Sequence, residues 1–304
     1  MQKIVPTQLS NYLQVSNFLG TAFEKFDNTT LNQKFDIQAS AVLQPSMRPT
    51  LQFYTIGIGG HAYTMGPNDI PLSDILDHSS GDAGLFKHLP FVIRPINDDL
   101  TAGERTKYCL RKMITVDNVN YYAYYGKRLS MAGVVPKMTK RTVVDDQTEI
   151  EEYVYTEQNL SPTPAAIPNN EAVTTSNEYL ATSAIVPMPF TEQDVAEMYN
   201  VAEILFGDRR MAIISEFGFC TAVMADVSIN TSAGTVSFKE AIGAQITAII
   251  SGHYELIFNS KGFDFNLEVG AVQPLLATGQ IPTVTMSLLG GNASTGPSGT
   301  SLAV

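Results

Sequence analysis

Helical spacing of apolar positions stands out at two places in the chain, and between and after them the period is that of strands. Residues 8–26, "QLSNYLQVSNFLGTAFEKF", carry Leu9, Tyr12, Leu13, Leu19, Phe23 and Phe26 at helical spacing and predict a packing helix with one apolar face. Residues 191–206, "TEQDVAEMYNVAEILF", predict a second. Thr191 with Asp194 three positions on resembles a capping box, Val195, Met198, Tyr199, Ala202 and Leu205 make the buried face, and Gly207 stops it. Short β-favouring runs broken by Pro45 and Pro49 fill residues 33–58. Two more flank "VDNVN", where Asp117 and Asn118 supply turn chemistry, so an antiparallel hairpin is expected within 104–131. Beyond the second helix the runs "MAIISEFGFCTAV", "GTVSFKEAIGAQITAII", "YELIFN" and "FDFNLEVGAVQ" read as strands. Ile242, Ala244, Ile246, Ala248 and Ile250 alternate in the second of them despite its alanines.

These elements predict an α+β, sheet-rich fold with mainly antiparallel strands, an N-terminal helix and a second helix near 191–206. The expected division is a helix plus β-rich domain over 1–136, an extended excursion or linker over 137–190, a helix plus β-rich domain over 191–290 that can pack on the first, and a flexible Gly-rich tail over 291–304. The excursion runs from basic to acidic and then into Pro162, Pro164 and Pro168, with Tyr153, Val154 and Tyr155 as docking points.

Charge narrows the function. A net charge of −11 with only 16% charged residues leaves a neutral polar surface suited to protein contact. It argues against a general binder of nucleic acid or acidic membranes, which needs cations to displace counterions from phosphates. Ten of the nineteen Lys and Arg residues lie from Arg94 to Arg141, directly before Asp145, Asp146, Glu149, Glu151 and Glu152. Pairing of the two segments, or their meeting across a subunit boundary, is favoured over a nucleic-acid track. The start reads as lacking a signal peptide, and no stretch is apolar enough to span a bilayer. Cys109 and Cys220, each in an apolar run, are expected as free buried thiols of a protein folded in a reducing cytoplasm, and the Asn-x-Ser/Thr matches at Asn28, Asn230 and Asn292 as chance.

Candidate chemistry concentrates in "FYTIGIGGHAYTMG", residues 53–66. A dinucleotide fingerprint fails because position 62 is Ala62 and Gly66 and Pro67 oppose a helix start; no P-loop exists either. Gly57, Gly59 and Gly60 are therefore expected to bend a strand and admit a close backbone approach. His61, Asp74, His78 and His88 are the metal-ligand candidates, with "DILDH" placing Asp74 and His78 one helical turn apart, but no established zinc or calcium spacing accompanies them. Ser251, His253 and Glu255 alternate on one strand face about 7 Å apart, too far for direct hydrogen bonds. No catalytic constellation, cofactor or resident metal is expected. Tyr121, Tyr122, Tyr124 and Tyr125 on the returning strand of the hairpin, with Tyr153 and Tyr155, are the interface candidates.

The segment "FVIRPINDDLTAGERTKYCLRKMITVDNVNYYAYYGKRLSM", residues 91–131, resembles uncharacterised structural proteins of tailed bacteriophages. That resemblance implies a non-enzymatic virion component of the tail, baseplate or neck. It would fold in the host cytoplasm and assemble as a symmetric homo-oligomer with other virion proteins. The alternative is a soluble module that recognises a metal or carbohydrate through residues 57–88.

Overall fold

The computed structural model of the chain describes residues 3–145, 147–163, 178–231, 234–256 and 261–274. They divide into two compact units, the first holding residues up to Ser130 and from Pro187 to Phe265, the second those from Met131 to Val186 and from Asn266 onward. The N-terminal and C-terminal β-rich segments thus share one unit rather than forming two domains. The expected tail over 291–304 lies outside the described residues, as do 164–177 of the excursion.

The first unit is built on a six-stranded sheet whose spine is the pair β13 (Ile213–Thr231) and β14 (Gly234–Glu255). β1 (Lys3–Pro6) pairs with β14, and β2 (Thr50–Gly57) pairs with β13. The two short strands β5 (His88–Leu89) and β9 (Lys127–Arg128) lie on the far side of β2. A separate hairpin joins β3 (His61–Met65) to β4 (Pro71–Ile75). A three-stranded sheet has the order β6 (Val92–Pro95), β8 (Val119–Tyr124), β7 (Arg111–Val116). Its β7–β8 turn is the expected one, with Asp117 and Asn118 both left-handed at φ 49° and 62°, as a two-residue hairpin turn requires.

The second unit carries a four-stranded sheet ordered β11 (Gln147–Glu152), β10 (Lys137–Val144), β12 (Glu178–Thr191), β15 (Gly262–Pro274). β12 and β15 each continue into the first unit. Residues 137–144, 147–152 and 178–191 are therefore paired strands and not a linker. The register between β10 and β11 sets the basic run against the acidic one, Lys140 opposite Glu151.

Helix α1 (Gln8–Leu19) ends seven residues earlier than the periodicity predicts, because Gly20 takes the left-handed conformation at φ 66° and closes it. Phe23 and Phe26 still reach the same cluster, their rings 5.7 and 4.8 Å from Tyr12, but from a returning loop. Helix α2 (Leu31–Phe35) replaces part of the strand expected over 33–58; its signal was the Thr30/Gln33 capping box. Two one-turn helices, α3 (Ala102–Arg105) and α4 (Glu157–Leu160), precede α5 (Glu192–Phe206), which has the predicted Thr191/Asp194 box and Gly207 stop.

The core of the first unit collects Leu31, Phe35, Phe53, Leu110, Ile246 and Ile249 with both cysteines, which are free and buried. Strict alternation in β14 would bury Ile250, yet Ile249 is the buried one. Phe219 faces Ala248 while Cys220 faces Ile246, so Thr247 is an extra residue that reverses the parity of the strand. At the nearby kink, where Gly243 has φ 60°, buried Asn32 stands in for a strand partner. Its Nδ2 donates to the Ala241 and Ile37 carbonyls and its Oδ1 accepts from the Ala244 N–H.

Candidate functional site

The glycine stretch is explained by a residue that lies far from it in sequence. Glu216, the one carboxylate within the apolar run of β13, is fully buried. Its Oε2 accepts from the Gly59 N–H at 2.7 Å, and its Oε1 from the Phe86 N–H at 2.7 Å and His78 Nε2 at 2.8 Å. A Cβ at Gly57 would stand 2.5 Å from Oε2, one at Gly59 2.6 Å from the Phe86 Cβ, and one at Gly60 2.5 Å from the Ser215 carbonyl oxygen. None of the three has a positive φ, so they are required for space rather than for conformation. The close approach anticipated from the sequence is therefore to a carboxylate as well as to backbone.

His78 completes this cradle. Its Nδ1 meets Asp82 Oδ2 at 2.8 Å, and its ring stacks on Phe86 with centroids 4.0 Å apart. A carboxylate at each nitrogen makes both N–H groups donors, which is the protonated imidazolium. Burial alone would lower the His78 pKa, but the bonds to Glu216 and Asp82 outweigh it and raise it above the ordinary histidine value.

The other metal candidates are dispersed. His88 Nε2 accepts from the Leu85 N–H at 3.1 Å, which leaves Nδ1 to donate to Thr55 Oγ1 at 3.2 Å; burial, with Lys34 and His78 adding to it, pushes its pKa down to about 3. Asp74 lies on β4 opposite Ala62, not on a helix, so the one-turn spacing with His78 does not arise. The His61 ring lies 4.6 Å from that of His253, and burial followed by that neighbour lowers its pKa. Among the described residues no three His, Cys, Asp or Glu side chains gather at metal-ligand spacing. His253 Nε2 comes within 3.2 Å of Glu255 Oε1 but makes no hydrogen bond to it, its Nδ1 lies 2.7 Å from Ser73 Oγ instead, and Ser251 is buried apart. The backbone spacing of alternate residues is about 7 Å, but long side chains can lean together across it.

The tyrosines divide between inside and outside. Tyr124 is buried and donates to Asp99 Oδ1 at 2.6 Å, so it cannot meet a neighbour. Tyr121 packs against the buried cluster of Ile93, Ala123 and Val201, Tyr125 stacks on Phe35 at 4.4 Å, and Tyr122 lies under the Arg111 guanidinium at 4.4 Å. Tyr153 touches Tyr155 edge-on at 5.2 Å, and of the six Tyr155 is the most open, 62% exposed. The basic cluster is also largely consumed. Arg94 pairs with Glu197, Arg105 and Arg111 with Asp99, Lys127 with Asp194, Lys140 with Glu178 and Arg141 with Glu268. Its partners are thus carboxylates other than the acidic run that follows it, although the two runs pair as strands.

A family of unknown function, DUF7208, matches residues 1–284 of the chain. The chain belongs to that family. Comparison with curated proteins and with solved structures gives no match. Around Glu216, this DUF7208 member's carboxylates and imidazole bond within the chain, to backbone N–H groups and to each other. A small cavity among the described residues, lined by Arg105, Arg111, Tyr124 and Glu240, sits beside the Asp99 carboxylate that both guanidinium groups already hold. No helix among the described residues is long and apolar enough to cross a membrane. Glu216 escaped the sequence reading, and the usable signal for it was a lone acid within "MAIISEFGFCTAV".

Proposed function

We propose that this DUF7208 protein is a non-enzymatic structural subunit of a tailed-phage virion, placed in the tail, baseplate or neck, that works through contacts with copies of itself and with other virion proteins. The observation that carries the reading is the contrast between consumed chemistry and offered surface. The buried polar groups around Glu216 are satisfied within the chain, whereas Met113, Ile150, Val154 and Tyr155 are 57–66% exposed on or beside sheet strands. The phage-like segment 91–131 supports the setting. Because the described strands of 137–190 pair within their own chain, the contact expected of that segment is made by its free edge rather than by its exchange.

Antibody labelling of purified particles that encode the chain tests this directly. Regular labelling at one place on the particle is the expected result. Absence of the chain from complete particles would overturn the reading. Deletion of residues 291–304 is expected to reduce incorporation more than folding, measured as chain per particle against melting temperature. A module binding a metal or carbohydrate through residues 57–88 is the second reading; stoichiometric metal in untagged protein, lost in a His61→Ala, His78→Ala double variant, would favour it.

A further inference from the structure

Among the described residues two sheets end in strands with one unpaired side, and the two strands complement each other. β7, "RKMITV", is the outer strand of the β6-β8-β7 sheet, and β11, "QTEIEE", is the outer strand of the four-stranded sheet. Each is six residues long. Every residue of β11 is exposed, and Glu149, Glu151 and Glu152 form no ion pair among the described residues, since Lys140 across the hairpin turns to Glu178. On β7 Lys112 likewise has no ion-pair partner among the described residues, and Met113 is 57% exposed.

Laid antiparallel in register, β7 and β11 place Lys112 opposite Glu151, Met113 opposite Ile150 and Thr115 opposite Thr148, with Glu149 diagonal to Lys112. Met113 and Ile150 are both large, apolar and more than half exposed. Pairing β11 with β11 would instead crowd six glutamates onto one ribbon without a cation, and pairing β7 with β7 would leave both lysines unmatched. An open strand edge is a template for another strand, and here charge selects which one.

We infer that β7 of one copy pairs edge to edge with β11 of the next copy. The contact is heterologous, because the two surfaces differ, so successive copies form a ring if the rotation closes and a filament if it does not. This deepens the subunit-contact reading above and rests on it, but it names the surface and the register.

The test is absolute mass by light scattering over a concentration series, applied to the full chain and its Lys112→Glu and Glu151→Lys variants. Each single variant is expected to associate roughly tenfold more weakly. Mixing the two restores association. At one junction the two reversed charges then meet as an opposite pair, and at the next the unaltered Lys112 of one variant meets the unaltered Glu151 of the other. A mixture of Met113→Cys and Ile150→Cys chains is expected to form an intermolecular disulfide, since opposed residues of antiparallel strands lie within bridging distance. An oligomer unmoved by either reversal overturns the edge pairing while leaving the subunit-contact reading in place. A chain that is monomeric at every concentration and yields no cross-link overturns the pairing as well.

Discussion

The loop that carries the glycines and histidines and the hairpin that carries the glutamates put the same chemical groups to opposite uses. In residues 57–88, imidazole and backbone N–H groups close on Glu216, 0% exposed. In the β10–β11 hairpin the carboxylates of Glu149, Glu151 and Glu152 stand in solvent on a strand whose outer side is unpaired among the described residues. Burial separates the two cases. A charge removed from water must be matched within the chain, so the first region contributes to stability, whereas an exposed charge contributes little to folding and remains available to a partner.

The largest expected effect breaks the buried side of that contrast. Glu216→Ala removes the acceptor of the Gly59 and Phe86 N–H groups and strands the His78 charge, and should lower unfolding stability by roughly 3–5 kcal/mol in denaturant titration. Gly60→Ala comes next. Its new Cβ would meet the Ser215 carbonyl oxygen at 2.5 Å, a backbone atom that cannot swing away, and overpacking of this kind costs about 1–3 kcal/mol. An equally small change at Gly133, where no atom lies within 4 Å of a Cβ but φ is +77°, should cost about 1 kcal/mol from backbone strain alone.

Histidine titration sharpens the comparison further. The His78 pKa is raised in the fold, so its stabilisation is fully present below the ordinary value of about 6.5 and is lost as pH rises through the higher folded value. His88 has the opposite sign. With its pKa pushed down to about 3, its contribution is present above about 6.5 and is lost as pH falls toward 3. Protection of the Phe86 and Leu85 amides from hydrogen exchange, taken relative to their intrinsic rates, should therefore fall on both sides of a middle pH, and His78→Gln should abolish only the alkaline limb. The smallest effect on folding is expected from Glu151→Lys, within about 0.5 kcal/mol of the parent in the same titration. A loss comparable to that of Glu216→Ala would show that the hairpin is built for stability and would remove the contrast.

Local signals carried much of the fold. Asp117-Asn118 placed the β7–β8 hairpin, Thr191, Asp194 and Gly207 bounded α5, and alternation marked the strands, because turns, caps and side-chain faces are decided by residues within a few positions of each other. Where a tertiary partner intervened, local reading failed. Thr247 as an inserted residue reversed which isoleucine of β14 is buried, and the chain left helix α1 at Gly20 while Phe23 and Phe26 kept their cluster. The candidate site shows the same division. The sequence by itself determined that Gly57, Gly59 and Gly60 must admit something close, that the histidines lack an established metal spacing and that the surface is polar and acidic. Only the tertiary structure decided that Glu216 fills the space, that His78 and His88 bond within the chain, and which strands stand at a sheet edge. The contacts to Glu216 and the pairing of β2 with β13 join residues more than a hundred positions apart, and no periodicity in the chain encodes which distant strand pairs with which.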